Sequence, residues 1–519
     1  MKWDAVQIST ERSSRVLDNG KRSIHMSWLL FVFFYAIFAN VPFWAASYYL
    51  GLLPVGWFCL EYAGVGLFAL FVPRIVAATL LMLIIAVDLV SAVSKTYYLS
   101  PSECLANIGA LYEFHGARFL AMATVASFIL LVFSIAAFFP RAAIGKSNRF
   151  RTAACLIAFA AIAMFVDCFE IVRETGHMPS LFRVARPSDK NKYSDYRNLW
   201  IARYPLIRLK INQMYFGGSH NVPSASEADF APIPSASALA ARSAGLSEGK
   251  SNKEMPNVVV VLVESWGLDS DLPVRDSLVK PYSLPNVIAR YEVLQGTVPF
   301  YGSTIAGEAR ELCGNHLGFH ILNISTQEAQ GCFPDRLSAL GYHSLAVHGL
   351  DGHMFNRSTW YRKIGFQEQW FGDELRKQKL PDCAGAFVGT CDAEIAEWIG
   401  RRLEKQDASP DFVYWMTLNS HLPVPIPSGL RAGAPCLLIP LLSQQQSLCS
   451  WYQLVSNVHY SISLLAMTKL ARPTIFVIVG DHAPPFANPT LRNQFSSTDV
   501  PFVLLLPRKN GGIVGKIRN

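Results

Sequence analysis

Apolar residues run almost unbroken through the first third of the chain, in five stretches: Trp28 to Leu50, Val55 to Val72, Ile75 to Val93, Phe119 to Phe139 and Ala153 to Phe169. Each comes close to the roughly 20 residues with which an α-helix crosses a hydrocarbon core of about 30 Å. The first starts too late, and has too many others behind it, to read as a removable signal peptide. The pattern predicts a leader over residues 1–26 and five membrane-spanning helices over 27–172. Past residue 256 the period changes. Short apolar runs, "NVVVVLV" (257–263), "SLAVHG" (344–349), "DFVYWMTL" (411–418), "TIFVIVG" (474–480) and "VPFVLLLP" (500–507), read as buried strands of a largely parallel sheet. Stretches such as "PDRLSALG" (334–341) and "CDAEIAEWIGRRLEKQ" (391–406) read as helices between them, which makes residues 257–519 an α/β domain.

Two segments join these halves. Residues 173–218 include a stretch from Tyr193 to Phe216 that mixes Tyr, Trp and Leu with Arg197, Arg203, Arg208 and Lys210. That mix suits helices lying on an anionic membrane surface, or a connecting helix packed on the outer domain. Residues 219–256 are rich in Ser, Ala and Pro and read as a linker.

Composition sharpens this picture in two places. The chain of 519 residues is 51% hydrophobic and only 16% charged, so much of it faces something other than water. Its net charge of +8 is spread thinly, which argues against a nucleic-acid partner. Lys2, Arg12, Arg15, Lys21 and Arg22 precede the first stretch, and Arg141, Lys146, Arg149 and Arg151 precede the fifth. Cationic short loops stay on the cytoplasmic side, so five crossings leave the α/β domain outside the cytoplasm. Glu61 and Asp88 fall inside predicted spans; such carboxylates are functional candidates, or they pair with neighbouring helices.

The outer domain holds Cys313, Cys332, Cys383, Cys391, Cys436 and Cys449. An even number in an oxidising compartment predicts disulfides, and among 15 connectivities the short-range one (313 with 332, 383 with 391, 436 with 449) is simplest.

In parallel sheets, ligands bind beyond the carboxyl ends of the strands. Glu264 ends the first predicted strand, and Asp481 and His482 end a later one. Oxygen and nitrogen donors of this kind suit a divalent ion such as Zn²⁺ or Mn²⁺. "YGSTIAGEARELCG" (301–314) adds Ser303 and Thr304 in a glycine-flanked turn, where a metal can activate a hydroxyl as it does water.

The order of strand-end Glu, hydroxyl turn, F-N-R (355–357), S-H-x-P (420–423) and G-D-H (480–482) resembles the sulfatase-like branch of the alkaline phosphatase superfamily. More narrowly it is similar to the membrane-bound phosphoglycerol and phosphoethanolamine transferases, which include lipoteichoic acid synthase and the glucan phosphoglycerol transferases. That resemblance implies five spans in a bacterial inner membrane and a periplasmic catalytic domain with the alkaline-phosphatase/sulfatase-like fold. It implies that Glu264, Thr304, Asp481 and His482 hold the metal, with Thr304 also the nucleophile. It places Arg357 and His421 on the phosphoryl group and its substituent, and Phe355 where lipoteichoic acid synthase has a tryptophan. The implied donor is phosphatidylglycerol or phosphatidylethanolamine, and the implied acceptor a hydroxyl of an envelope glycan or lipopolysaccharide. "TIAG" followed by "CG" is closer to the glucan enzymes, which favours phosphoglycerol.

Chemistry supports such a site independently. A phosphodiester is anionic and resists attack, so charge must be neutralised where the nucleophile arrives. Arg357 offers a two-pronged donor for phosphoryl oxygens, and His421 an acid and base for the leaving and entering oxygens. A rival motif, C-F-P-D-R at 332–336, fits the C-x-P-x-R of sulfatases whose cysteine is converted to formylglycine. Hydrolysis by a periplasmic sulfatase or phosphodiesterase is therefore the alternative activity. A non-catalytic envelope protein is the third reading; it would bind no metal and tolerate Thr304→Ala.

Overall fold

Seven residues of "NVVVVLV" form strand β1 (Asn257–Val263), buried along its whole length because neighbours flank both edges and helices cover both faces. In the computed structural model, residues 28–50, 58–97, 117–138, 146–175, 232–246, 255–405, 409–422, 434–486 and 488–508 are described, with Leu52, Leu99 and Cys104. The other strands are β2 (Tyr291–Pro299), β3 (His343–His348), β4 (Glu368–Trp370), the short pair β5 (Asp382–Cys383) and β6 (Gly389–Thr390), β7 (Asp411–Met416), β8 (Thr474–Gly480) and β9 (Asp499–Pro507).

The main sheet has the order β2-β9-β8-β1-β7-β3-β4. At its centre Val260 pairs in parallel with Tyr414 of β7 on one side and Val477 of β8 on the other. β3 is parallel to both β7 and β4. The predicted strand at 500–507 is present but runs the other way: β9 is antiparallel to β8 and to β2. Sequence analysis did not foresee β2 or β4. β2 is an edge strand whose half-exposed residues break the apolar run that marks a buried strand, and β4 has only three residues.

Because β1, β3, β7 and β8 all point the same way, their carboxyl ends share one rim of the sheet. Two groups of helices cover it. The helices Leu272–Val279, Asp392–Leu403 and Gln446–Met467 pack together, as do Ala236–Ser243, Thr304–Cys313 and Phe333–Ala339. The Ala236–Ser243 helix lies inside the predicted linker yet is built into the core. Ser235 caps it, and the buried Glu311 carboxylate accepts from Ser237 N and Oγ at 2.9 and 2.8 Å. Its Ala and Ser side chains read as low complexity in sequence, but their small size is what allows close packing.

The disulfides among the described residues are Cys313–Cys332, Cys383–Cys391 and Cys436–Cys449. They join the cysteines that lie nearest in sequence.

Among the described residues toward the N-terminus, four helices are long and apolar enough to cross a membrane: Trp28–Leu50, Arg74–Ser94, Leu120–Phe138 and Asn148–Val166. The stretch expected as the second span contains instead a helix of ten residues, Leu60–Ala69. At 1.5 Å per residue that covers about 15 Å, half of a hydrocarbon core. It is packed closely: a Cβ on Gly66 would come within 2.7 Å of Tyr35 Cβ. Tyr62 OH donates to Asp88 Oδ2 at 2.9 Å, and Cys59 Sγ to Glu61 Oε2 at 3.3 Å, so both carboxylates noted in sequence take hydrogen bonds within this bundle. Arg492 Nη1 of the outer domain donates to Thr96 O at the end of the Arg74–Tyr97 helix (3.1 Å). The predicted interfacial stretch 193–216 lies outside the described residues.

Candidate metal and phosphoryl-transfer site

The rim of the sheet carries Glu264 after β1, Asp481 and His482 after β8, and the Thr417–His421 turn after β7. Glu264 is held from both sides. Its N–H donates to Thr417 Oγ1 (2.9 Å), and its carbonyl accepts from Ser420 Oγ (2.6 Å). Ser265 adopts a left-handed backbone (φ 57°), a conformation that costs a non-glycine residue of order 1 kcal/mol. Its surroundings impose it. Ser265 N donates to Asp481 Oδ1 (2.8 Å), its Oγ to Glu264 Oε1 (2.8 Å), and its carbonyl accepts from Trp451 Nε1 (2.9 Å). On the neighbouring strand Gly480 has no alternative, because a Cβ there would lie 1.9 Å from Trp266 O.

Thr304 is the first residue of the Thr304–Cys313 helix, which brings its hydroxyl to this rim. Gly307, one turn on, lets the helix approach Asp481 so closely that a Cβ would sit 3.0 Å from Asp481 Cα. Arg310 Nη2 then binds the carbonyl of Gly480 at 2.6 Å and locks helix to strand.

Four of the residues singled out in sequence thus meet. Thr304 Oγ1 is 3.2 Å from Glu264 Oε2 and 3.3 Å from His482 Nε2. His482 Nε2 is 3.6 Å from Glu264 Oε1 and 3.3 Å from Asp481 Oδ2. Glu264, Asp481 and His482 are buried and offer ligand atoms within 4.8 Å of one another. His482 Nδ1 faces the carbonyl of Ala483 (2.9 Å), so in the neutral ring Nδ1 carries the proton and Nε2 presents its lone pair. Asp481 Oδ1 is taken by the N–H groups of Ser265 and His482, while its buried Oδ2 accepts no hydrogen bond. Burial first, and then the charge of Asp481, holds Glu264 well above the usual carboxylate range. Acceptors crowd this spot, and the threonine has one proton to offer them. A divalent cation fits the donor set and would satisfy it.

Arg357, His421 and Phe355 lie on other elements of the same end. Arg357 begins the Arg357–Lys363 helix and is buried, and its fork is turned away from the use foreseen for it. Nε and Nη2 donate to Glu308 Oε2 at 3.1 and 2.9 Å. A buried carboxylate has claimed the two-pronged face and Nη1 donates to Met354 O at 3.5 Å, so one hydrogen each of Nη1 and Nη2 is what remains for another anion. Phe355 and Asn356 precede it in consecutive left-handed conformations (φ 55° and 52°). The Phe355 ring lies under the Arg357 guanidinium at 5.1 Å and meets Phe319 edge-on. His421 meets Phe387 edge-on at 4.8 Å, and Phe387 sits in the loop closed by Cys383–Cys391.

Three contributors were not singled out in sequence. His348 ends β3, donates from Nδ1 to Met416 O (3.0 Å), and is lowered to a pKa of about 3 by burial and then by the charge of Arg357. The strand-end rule that picks out Glu264 applies equally to "SLAVHG" and would have found it. Asp392, at the start of its helix, accepts from Leu418 N (3.1 Å) and Asn419 N (2.7 Å) and so fixes the turn that carries Ser420 and His421. Glu308 has no such sequence signal, being one acidic residue of a helix.

Cys332 is not at this rim. It caps the Phe333–Ala339 helix and is bonded to Cys313, which lies nine residues from Thr304 at the other end of its helix, about 13 Å away.

Comparison with known proteins adds four findings. The sulfatase family model matches residues 256–514. A putative cyclic β-1,2-glucan modification protein of Rhizobium meliloti (strain 1021) is 25% identical over 267 residues, 49% of this chain; the match spans only 39% of that protein's length. Among solved structures, the lipoteichoic acid synthase LtaP of Listeria monocytogenes is 15% identical, with a TM-score of 0.38, over 53% of this chain and 72% of that one. The Streptococcus pyogenes phosphoglycerol transferase GacH, solved with sn-glycerol-1-phosphate, is 16% identical, with a TM-score of 0.32, over 54% and 76%. Identities and scores this low assign no activity.

Proposed function

Since residues 256–514 belong to the sulfatase family, we propose that this chain is a membrane-anchored transferase. It moves the phosphoglycerol or phosphoethanolamine headgroup of a phospholipid onto a hydroxyl of an envelope glycan or lipopolysaccharide. The observation that carries this reading is the position of Thr304: a hydroxyl at a helix start, 3.2 Å from Glu264 Oε2 and 3.3 Å from His482 Nε2, at the rim where a parallel sheet binds its ligands.

Glu264, Thr304, Asp481 and His482 would hold Zn²⁺ or Mn²⁺, which when bound supplies positive charge beside the phosphoryl oxygens and lowers the pKa of the threonine hydroxyl. The rest is done by the protein. Glu264 Oε2 orients the Thr304 hydroxyl by accepting its hydrogen bond. In the first half-reaction Thr304, its hydroxyl proton given up to solvent, forms a bond from Oγ1 to phosphorus, and the bond from phosphorus to the diacylglycerol oxygen breaks. His421 gives that oxygen its proton, and diacylglycerol stays in the bilayer. In the second half an acceptor hydroxyl loses its proton to His421, bonds to phosphorus and releases Thr304. Arg357 steadies the phosphoryl group through the donors that Glu308 leaves to it, with Phe355 beside the headgroup.

Four long apolar helices support anchorage, and a tethered site meets its lipid donor in two dimensions. The disulfides Cys313–Cys332, Cys383–Cys391 and Cys436–Cys449 suit an oxidising compartment, which favours a bacterial inner membrane with the catalytic domain in the periplasm. A relative described as a glucan modification protein favours a glycan as acceptor. The sulfatase alternative loses support because its required cysteine, Cys332, is already bonded to Cys313.

Incubation with phosphatidylglycerol or phosphatidylethanolamine vesicles, followed by mass analysis of the peptide containing Thr304, tests the proposal. A phosphoglycerol or phosphoethanolamine adduct on Thr304 is expected, and its mass names the donor. Free headgroup phosphate accumulating without any adduct would favour the phosphodiesterase, and formylglycine at Cys332 the sulfatase.

A further inference from the structure

Glu308 lies one helical turn after Thr304, so the two share a face of the same rigid helix. It is fully buried, and both of its oxygens are engaged. Oε2 accepts from Arg357 Nε and Nη2 at 3.1 and 2.9 Å, while Oε1 accepts from Tyr361 OH and, at 3.4 Å, from Tyr414 OH. Tyr361 stands one turn after Arg357 on that residue's helix, and Tyr414 lies on β7 near the charge of Asp481. Burial, and then the Glu308 charge, raise both phenols far above their ordinary range, so they remain donors. Arg357 also rests on the Phe355 ring.

A buried ion pair is a poor way to stabilise a core, because desolvation offsets most of its attraction and an apolar pair of similar volume often does as well. Its value here is geometric. The nucleophile's own helix reaches across and grips the guanidinium beside the site, so Thr304 and Arg357 cannot drift relative to each other.

We propose that Glu308 is a positioning residue for phosphoryl transfer: through Arg357 it sets the distance between the phosphoryl-binding guanidinium and the Thr304 hydroxyl, and it mutes the guanidinium's charge. This rests on the role given to Arg357 under Proposed function. The muting makes a distinctive demand. Without the carboxylate, Arg357 attracts an anion at least as well as before but holds it in the wrong place, so ground-state binding and turnover part company.

The experiment uses the full chain in vesicles of phosphatidylglycerol and phosphatidylethanolamine. It measures kcat for headgroup release, Ki for inorganic phosphate and bound metal, and repeats them on a soluble aryl phosphodiester that needs no lipid. Glu308→Gln is expected to lower kcat about tenfold or more, with Ki unchanged or lower and metal content intact. In an Arg357→Lys background it should cost little further, because the two residues act as one unit. Unchanged kcat in Glu308→Gln, where Arg357→Ala is impaired, overturns this inference alone. Full activity in Arg357→Ala overturns both it and the phosphoryl role of Arg357. A parallel loss of kcat and phosphate affinity means a merely structural residue and also overturns it. Should Glu308→Gln fail to fold, Tyr361→Phe removes one donor from the carboxylate. It is expected to lower kcat about two- to threefold at constant Ki, and no change there counts against the proposal.

Discussion

Two buried acidic sets meet the Thr304–Cys313 helix, one at Thr304 and the other at Glu308 one turn on, and they are built on opposite principles. Glu308 is answered by Arg357 and two tyrosines, as Glu311 nearby is answered by Arg310 (2.7 Å) and the start of the Ala236–Ser243 helix. Among the described residues no Lys or Arg pairs with the carboxylates of Glu264 and Asp481, Arg310 reaching only the Asp481 carbonyl; their neighbours are a threonine, a serine and a histidine whose lone pair faces them. A carboxylate that the protein neutralises itself belongs to the scaffold. One that it surrounds with further acceptors is waiting for a cation from outside. Burial is the same in the two sets, so the difference lies in what the chain chose to place opposite each charge.

The largest effect should come from breaking the uncompensated set at its one hydroxyl. Thr304→Ala is expected to abolish the headgroup adduct and to lower transfer at least about 1000-fold, because it removes the hydroxyl held between Glu264 and His482. Mass analysis of the peptide and release of diacylglycerol from vesicles measure it. Retention of transfer would remove Thr304 from the chemistry.

Next in size is a pH effect at Asp392, a third kind of buried carboxylate, answered only by backbone N–H groups. Burial raises it from 3.8 to a pKa of about 7, against which those N–H groups pull down. The folded protein therefore holds this proton more tightly than the unfolded chain. Its contribution to stability is full below the unfolded value near 4 and is lost as pH rises toward 7. Over that window the loss amounts to as much as about 4 kcal/mol, at 1.36 kcal/mol per unit. Asp392→Asn should flatten the fall, read as unfolding free energy from denaturant titrations at pH 4 to 8. An equally steep fall in the variant would assign the dependence to another group.

Much of this contrast was legible before the fold was known, and what was hidden was hidden for physical reasons. β1 and β8 are continuous apolar runs that end in Glu264 and in Asp481–His482, and a parallel sheet has to place such ends together. Local spacing also suggested the pairing of Cys313 with Cys332. The antiparallel direction of β9 could not be read, because direction depends on how the chain returns and leaves no mark on "VPFVLLLP". Nor could the Glu308–Arg357 pair, since 49 residues separate partners that only tertiary packing brings together. The same gap explains the fork of Arg357: residue type revealed a guanidinium but not that its better face was already occupied. In the membrane half a ten-residue helix stands where a full span was foreseen, because apolar composition does not distinguish a helix from the turns around it.

The smallest expected effect separates the two sets most cleanly, because it predicts opposite signs for the same substitution. In metal-free protein Glu308→Gln leaves Arg357 without its counter-charge and should cost about 3 kcal/mol of stability. Glu264→Gln removes a carboxyl that burial and the charge of Asp481 make costly to ionise, and in metal-free protein it should stabilise by about 1 kcal/mol, or roughly 2–4 °C in Tm. Adding Zn²⁺ or Mn²⁺ should reverse the second result and not the first, since wild type then gains binding free energy that Glu264→Gln has lost. Thermal scans of the full chain with chelator and with each metal decide it. Destabilisation by Glu264→Gln in chelator would mean that Glu264 is satisfied by the protein itself. The distinction between a waiting site and a finished scaffold would then fail at the residue on which it most depends.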